Sequence, residues 1–357
     1  MRSLFVLFIF AVLCNCIFAQ KPRTQFNGFG HFDYNADMSK THNKESSFFI
    51  GEHDFFITST ITDKISFLGE YVIRYNSNSA TTFLPSIERS FLKFNYKNNH
   101  NIIVGKVHTP VNYWNDVYHH GRVFFPVIDR PIAFNHIIPL HTTGIQLQGQ
   151  NLGDKNFGYD IVYGNGISSR DGARDPLAPS ITAAFHFKPI TGMRIGASYY
   201  FSNVLNNLRG AHVGHTSPAL AEYTGPLYKG DVAFHLINGS FAYFGKKLEV
   251  LNEFSNNLTK TDTLGLAKNI SNFLYVGYRI NEKAVPYVHF DYMNISTLDL
   301  YTYPYKVSQI AAGFRYEFNP YVNIKVEGDY QTFNRYTLPG DSKHGHLKFK
   351  IQMAYGF

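Results

Sequence analysis

Cysteine is almost absent from this chain of 357 residues, and its two copies, Cys14 and Cys16, both lie near the N-terminus. The rest of the sequence therefore has no disulfide framework and no thiolate chemistry. Charged residues are scarce as well, at 17%, compared with about 25% in soluble domains. The mean hydropathy of −0.19 and the lack of apolar runs of roughly 20 residues argue against a helical membrane protein.

Aromatic residues are abundant instead, with 33 Phe, 25 Tyr and 1 Trp making up 17% of the chain. So much aromatic surface excludes a disordered chain. The formal net charge of +7 is spread along the sequence without a basic block. The sequence therefore lacks the basic cluster that is typical of nucleic-acid binding. What remains is a large all-β protein, either soluble or embedded in a membrane.

The first residues have the order of a secretory signal. Arg2 precedes an apolar run from Leu4 to Leu13, and Ala19 closes a small-residue cleavage site. An N-terminal membrane anchor is the alternative, but this run is shorter than the roughly 20 residues that span a bilayer. We therefore predict a cleaved signal at residues 1–19 and a single exported domain at 20–357.

Apolar and polar residues alternate along the exported chain with the period of a β-strand. At the C-terminus every second residue from Leu347 to Phe357 is apolar, and the residues between them are polar or small. Sixteen segments show the pattern, and a slip of phase near Asn238-Gly239 predicts a β-bulge there. The segments are 26–35, 48–60, 64–75, 87–96, 101–108, 142–150, 157–164, 180–187, 193–203, 231–244, 247–257, 271–280 and 285–294, with three more around 309–317, 322–331 and 347–357.

The connections between these segments alternate in length. They are short after even-numbered strands and long after odd-numbered ones, which is the layout of an outer-membrane barrel with both termini on the periplasmic side. A soluble sandwich is not expected to sort its loops in this way. The predicted long connections are 36–47, 76–86, 109–141, 165–179, 204–230, 258–270, 295–306 and 334–344.

The polar face of the predicted strands carries charges that a packed core would not accept. Lys325, Glu327, Asp329, Lys348 and Lys350 alternate with apolar residues on two neighbouring strands. The inside of the barrel is therefore expected to hold water, and sixteen strands leave room for a channel. We predict a transmembrane antiparallel β-barrel of about 16 strands.

Two segments resemble known outer-membrane proteins. The C-terminal strand ending in Phe357 resembles the signature by which the barrel assembly machinery takes up its substrates. Ser90 to Phe94, followed by Val104 to Asn115 with its Gly-Lys-Val-His-Thr-Pro sequence, is similar to porin-like proteins of Bacteroidota and, more distantly, to phosphate-selective porins. The resemblance implies a passive diffusion channel for small hydrophilic solutes, a trimer, and a place among the lipids of a Gram-negative outer membrane.

The resemblance also assigns the third long loop, Thr109 to His141, to the constriction of the pore. Its aromatic and aliphatic composition agrees, because such residues would be costly in a loop exposed to water. Packing over the barrel mouth, as a lid or a subunit contact, is the alternative. The candidate constriction residues are Tyr113, Trp114, Asp116, His119, His120, Arg122, Asp129, Arg130 and His136.

Charges on the inward parity would set ion selectivity. The basic members are Arg74, Lys93, Lys106, Arg194, Arg279, Arg315, Lys325, Lys348 and Lys350, and the acidic members are Asp54, Glu70, Asp160, Glu249, Glu253, Asp291, Glu327 and Asp329. Their near balance predicts a weak charge preference, without the arginine ladders that strict phosphate specificity implies. We expect Lys325→Gln or Lys350→Gln to change conductance and to spare folding.

Histidines in and beside the third loop raise the question of a metal site. No spacing among His108, His119, His120, His136 and His141 matches a tetrahedral site. Adjacent His119 and His120 would also point apart in an extended chain. We therefore predict no metal and no cofactor.

Two further classes of function compete with a porin. An outer-membrane hydrolase could use His212, His215 or Ser217, but no orienting third group is identifiable, so we predict no enzymatic activity. A plugged or structural barrel, acting as an adhesin, a secretion component or a partner of a surface lipoprotein, shares the strand pattern of a porin and is the alternative function.

Overall fold

The chain folds into a closed barrel of sixteen antiparallel strands. A computed structural model describes residues 23–39, 46–75, 83–167, 179–205, 230–301, 305–335 and 344–357. Each strand pairs with the next, and the last pairs with the first. The predicted all-β architecture is confirmed. The predicted signal at 1–19 and the loop with His212, His215 and Ser217 lie outside the described residues.

The strands follow the alternating segments closely. Among the described residues, helix is confined to the short turns Trp114–Tyr118, Arg122–Phe124 and Ile132–Asn135, and no helix is long and apolar enough to cross a bilayer. The strands are β1 (Arg23–Asp37), β2 (Ser46–Thr60), β3 (Ile65–Tyr75), β4 (Phe83–Lys97), β5 (His100–His108), β6 (His141–Leu152), β7 (Phe157–Asn165), β8 (Pro179–Phe187), β9 (Met193–Val204), β10 (Val232–Phe244), β11 (Leu248–Thr261), β12 (Gly265–Tyr278), β13 (Ala284–Asn294), β14 (Tyr305–Asn319), β15 (Val322–Arg335) and β16 (His344–Gly356).

The pairing of β1 with β16 closes the barrel and extends to Phe357. The Gly28 amide donates to the Phe357 carbonyl oxygen at 3.0 Å, and the Phe357 amide donates to the Gly28 carbonyl oxygen at 2.8 Å. Closure pairs the first strand with the last, so neither of them presents a free edge of backbone groups that a bilayer would not tolerate.

The two faces of the sheet differ as the alternation predicts. In β16, Leu347 and Met353 are exposed on the outer surface, while Lys350, Gln352 and Ala354 are buried on the inner side. Exposed Phe, Tyr, Ile and Leu side chains occur on the outside of nearly every strand. Such an apolar surface is unfavourable in water and suits lipid.

An outward mid-strand position gives a direct test of these faces. Ile351 lies opposite Tyr34 of β1 and Val326 of β15. Ile351→Lys is expected to cost roughly 2–4 kcal/mol of unfolding free energy in lipid, because a charge at the bilayer midplane is poorly solvated. Denaturant unfolding of the barrel in vesicles measures this, with Ile351→Leu as the control. Equal stabilities of the Lys and Leu variants would contradict the outward assignment.

Two details of the sequence-based prediction are wrong. β10 pairs without a register shift on both sides of Asn238, so the predicted bulge is absent. The apparent slip arises because inward positions of β10, such as Phe234 and Leu236, are apolar and pack inside the barrel. The predicted long loop at 258–270 is also absent. The alternation continues to Thr261 and resumes at Gly265, so β11 and β12 form a tight hairpin.

A β-bulge occurs instead in β4. Glu70 pairs with Arg89 and Tyr71 pairs with Ile87, which leaves Glu88 as the extra residue. β4 and β5 pair only as far as Ser90 and Lys106. Next to this point Gly105 has a φ of 139°, a value that favours glycine. Beyond this point a gap separates the two strands, and Glu88 is buried beside it.

Candidate functional site

The longest connection, residues 109–140, folds into the barrel. The Thr109 amide donates to the Leu140 carbonyl oxygen at 2.9 Å. The Asn115 side-chain amide donates to the carbonyl oxygens of Thr109 and Leu140 at 2.7 and 3.1 Å. Positive φ angles at Asn112 (49°) and His119 (41°) turn the backbone on either side of the first helical turn. The predicted inward fold is confirmed, and packing over the mouth as a lid is wrong for this loop.

Apolar side chains of the loop form a hydrophobic core inside the barrel. Trp114 packs edge-to-face against Phe125 and against Phe273 of β12, with ring centroids 5.0 and 5.3 Å apart. Phe134 is buried in the same core. This side of the lumen is therefore closed by apolar packing. The wall contributes inward residues of β9–β14, including Tyr200, Phe234, Leu236, Leu251, Phe273, Tyr275, Tyr287, Met293 and Val307.

Backbone groups of the loop bond to polar side chains of the wall. The Trp114 amide donates to Glu253 of β11 at 2.9 Å, and the Ile132 amide donates to Asp291 of β13 at 2.5 Å. These contacts satisfy buried groups that would otherwise destabilise an irregular segment. Three side chains of β14 and β15 donate to loop carbonyl oxygens: Arg315 to Pro126 at 3.1 Å, Asn323 to Val123 at 2.6 Å and Lys325 to Arg122 at 2.6 Å.

Asp129 anchors the loop to the β15–β16 wall. Lys350 Nζ lies 2.6 Å from an Asp129 oxygen, 2.6 Å from an Asp329 oxygen and 4.0 Å from Glu327. Partial desolvation raises the pKa of the Asp129 carboxyl, but the charges of Lys350 and Arg122 outweigh it and hold the pKa below its usual range. Asp129 is therefore an anion, and it shares the Lys350 ammonium with Asp329 of the wall.

Arg130 anchors the loop to β2. Its Nη2 lies 2.7 Å from Glu52, and its Nε donates to the His119 carbonyl oxygen at 2.8 Å. His120 Nδ1 lies 3.1 Å from the same carboxylate. Glu52 was missed by the sequence analysis, although it shares the strand parity of Asp54, which was included.

Asp116, Arg194 and Tyr113 meet where the loop faces β9. The Arg194 guanidinium forms an ion pair with Asp116 and lies 5.3 Å above the Tyr113 ring. All three line a recess of about 660 Å³ that also touches Asp154 and Lys188. The same three residues line an adjoining pocket of only about 20 Å³. The Asp116–Arg194 pair thus lines both the large recess and the small pocket.

Most of the predicted lining charges are engaged in ion pairs. Arg74 contacts Glu52 and Glu88 at 3.1 and 2.6 Å, and Arg315 contacts Glu249 at 2.9 Å. Arg279 joins Glu249 and Glu317 at 2.8 and 2.9 Å. Glu327 accepts a hydrogen bond from Tyr287 at 2.9 Å. Opposite charges at such short range offset each other's fields.

The remaining predicted positions differ in their surroundings. Lys348 lies beside Lys350 in a cavity of about 340 Å³ on the long-loop side. Lys93 lies between the exposed, outward-facing Leu92 and Phe94 and so lies on the inward face of β4. The Lys106 ammonium donates to the Ile87 carbonyl oxygen of β4. The kink at Gly105 interrupts the alternation of β5, so the face of Lys106 does not follow from that of Val104, and its inward assignment stays a prediction.

His136 is separate from the other loop histidines. Its ring lies edge-on to Tyr305, with centroids 5.7 Å apart. Burial lowers the pKa of His136 to about 4. It is therefore neutral at ordinary pH and adds no charge to the constriction.

Comparisons with known proteins identify the fold. No protein-family model matches the chain, and no curated protein matches it. Several solved structures do. The chain is similar to an anion-selective porin from Comamonas acidovorans (TM-score 0.66, 10% identity, 94% of this chain and 100% of that one). It is also similar to the trimer form of OmpT, an outer membrane protein of Vibrio cholerae (0.64, 14%, 95% and 100%), and to Salmonella typhi OmpF in complex with daunomycin (0.57, 12%, 94% and 97%). At these identities the likeness shows the fold of outer-membrane porins, and the Bacteroidota resemblance stays an expectation.

Proposed function

We propose that the chain is an outer-membrane porin, a narrow water-filled channel through which small hydrophilic solutes and ions diffuse passively. Its support is an apolar outer surface, a polar inner wall and an inward loop on the fold of known porins. The proposed role is transport, with no enzymatic activity.

The observation that carries the proposal is the recess at Asp116 and Arg194. It reaches the short-connection end of the barrel, because Asp154 and Pro189 lie in short turns and line it. At the loop it shares Tyr113, Asp116 and Arg194 with the small pocket that Ser198 also lines. A polar recess that leads from one mouth to a charged pair is expected of a constricted channel.

A weak ion preference is expected from the same geometry. In the loop, Arg122 and Arg130 oppose Asp116 and Asp129, and each of these four charges lies beside an opposite one. Fields of opposite sign at close range cancel along the path. Planar-bilayer recordings in a salt gradient should therefore give reversal potentials close to zero for the unmodified barrel.

Arg194→Gln is expected to turn this weak preference into a clear cation preference. Without the guanidinium, Asp116 would stand uncompensated in the wall of the recess, where a carboxylate attracts cations and repels anions. The measurement is the reversal potential in a KCl gradient.

Asp116→Asn should have the opposite effect to Arg194→Gln. It leaves Arg194 uncompensated and should shift the reversal potential towards anion preference. Lys188→Gln, at the rim of the same recess, is the matched control and should have a smaller effect. Unchanged reversal potentials in both Arg194→Gln and Asp116→Asn would show that ions do not pass this pair.

A plugged barrel is the second candidate function. The hydrophobic core around Trp114 favours it, because the core joins the loop to the wall across several strands. Single-channel conductance of the refolded barrel separates the two. Discrete conductance steps support the channel, and an electrically silent barrel supports the plug.

The same proposal places the barrel in the outer membrane, with both termini periplasmic. The support is the position of the short connections on the side of the termini and the exposed side chain of Phe357, at the position that the assembly machinery is expected to read. A homotrimer is also proposed, by analogy with the trimer form of the Vibrio cholerae protein. Light scattering of the detergent-solubilised barrel would measure its subunit number.

A further inference from the structure

Four buried ligand-type side chains converge beside the gap between β4 and β5. They are Glu88, His119, His120 and His141, and one ligand atom from each lies within 4.8 Å of the others. Glu88 Oε2 is 2.8 Å from His141 Nε2, 3.1 Å from His120 Nε2 and 3.8 Å from His119 Nε2. All four residues are nearly inaccessible to solvent.

The backbone explains why these residues meet. Glu88 is the extra residue of the β4 bulge, and bulges redirect side chains. His119 has a φ of 41° and ends a helical turn, so the chain is not extended there. The rings of His119 and His120 consequently lie 4.3 Å apart. The sequence-based argument that adjacent histidines point apart therefore does not apply.

We propose that Glu88, His119, His120 and His141 bind one Zn²⁺ ion. Three imidazole nitrogens and one carboxylate oxygen are typical zinc ligands, and Zn–N distances of about 2.0–2.1 Å place tetrahedral ligand atoms about 3.3 Å apart. The three distances from Glu88 Oε2 lie around that value. The proposal goes beyond channel function, and its test does not depend on conductance.

Polar groups outside the cluster orient the ligands. Asn115 donates both hydrogens of its amide to carbonyls of the loop ends, so its oxygen accepts from His119 Nδ1 at 2.7 Å. This leaves the lone pair of His119 on Nε2, facing Glu88. Glu52 lies 3.1 Å from His120 Nδ1. In metal sites the ring nitrogen of a histidine that does not bind the metal usually donates to a carboxylate or carbonyl oxygen of this kind.

Glu88 is oriented in the same way. Its Oε1 accepts hydrogen bonds from Arg74 Nη2 at 2.6 Å and from Ser86 at 2.7 Å, which leaves Oε2 on the side of the three imidazoles. Arg74 Nη2 also lies 3.2 Å from His120 Nε2 and must turn away from that nitrogen when the ion binds. Glu52 and Glu88 balance the charges of Arg74 and Arg130, so the affinity for the cation would come from the three imidazoles and the Glu88 carboxylate themselves.

The ion would clamp the loop to the wall. Two ligands belong to the loop, His141 begins β6, and Glu88 lies across the gap in β4, where strand pairing has ended. A bound Zn²⁺ thus replaces the missing hydrogen bonds with a metal crosslink between wall and loop.

The test is metal content and affinity of the intact barrel. The chain is refolded with Zn²⁺, desalted and analysed for zinc, and a chelator-treated sample is titrated by calorimetry. We expect one tightly held zinc per chain. Co²⁺ substitution should give the visible absorption of a tetrahedral site. Glu88→Gln and His141→Gln should abolish this binding, and Asn115→Ala should weaken it roughly 10–100-fold.

His235→Gln, which alters a histidine bonded to Tyr199 far from the cluster, is the control and should bind like the unmodified chain. Heat-modifiable migration on gels shows which variants are folded. Zinc binding by the unmodified chain tests the proposal even if the cluster variants do not fold. No saturable site there, or equal zinc in folded Glu88→Gln, would overturn the proposal and leave an ion-pair network in which His120 bridges Glu52 and Glu88.

Discussion

Trp114→Ala is expected to lower the unfolding free energy of the barrel by about 3–5 kcal/mol, the usual range for removing a buried large aromatic side chain. The indole is fully buried and touches Tyr118, Phe125 and Phe273 at centroid distances of 5.0 to 5.3 Å. Its loss leaves a cavity at the point where the loop core meets the wall.

The same substitution is expected to raise single-channel conductance and current noise. The loop would lose the contact that holds its first helical turn against β12, while the sixteen strands keep their hydrogen bonds. Unfolding in lipid and planar-bilayer recording measure the two effects on one preparation.

Phe124→Ala is the matched control, because Phe124 is an aromatic residue of the same loop that is 59% exposed. It should cost much less stability and leave conductance nearly unchanged. If the two variants proved equally stable and equally conducting, the core around Trp114 would not be what holds the loop in place.

Lys350→Gln is expected to cost about 3 kcal/mol, in the range for removing one partner of a buried ion pair. Asp329 and Glu327 are almost completely buried, and both would lose the ammonium that offsets their charge. The Asp129 side chain is 47% exposed, so water screens its share of the loss. The sequence alone led us to expect that Lys350→Gln spares folding. From the structure we instead expect this substitution to destabilise the barrel.

Lys348→Gln is the natural comparison, since Lys348 lies on the same inward face two residues earlier in β16. It should leave the unfolding midpoint close to that of the unmodified barrel. Lys350→Gln should also free Asp129 and loosen this part of the loop, which would appear as a change in conductance. Matching midpoints for the two variants would contradict the anchoring role of Lys350.

Lys325 illustrates why a charged inward residue was misjudged. The alternation correctly put it inside the barrel, and the interior of a wide barrel was expected to hold water. Instead its ammonium donates to the Arg122 carbonyl oxygen and to Gln352. The sequence shows the face on which a side chain lies, but it does not show which part of the lumen another segment fills.

β10 shows the converse error. Its inward Phe234 and Leu236 disturbed the alternation and suggested a bulge, because an inner wall was expected to be polar. The structure places them against the loop core. Apolar residues on the inward face of β10 therefore marked the place where the loop packs. They can be interpreted in this way only when the position of the loop is also known.

The sequence by itself determined the barrel: strand number, order and faces follow from local alternation and from loop lengths, which depend on residues close together in the chain. The inward loop was expected from the resemblance to porins, with which its apolar composition agrees. The tertiary structure alone decided the pairing of Asp116 with Arg194, the anchoring of Asp129 by Lys350 and the meeting of Glu88 with three histidines. Those contacts join residues far apart in sequence, and the last of them also depends on a bulge and a positive φ angle that no period of two reveals.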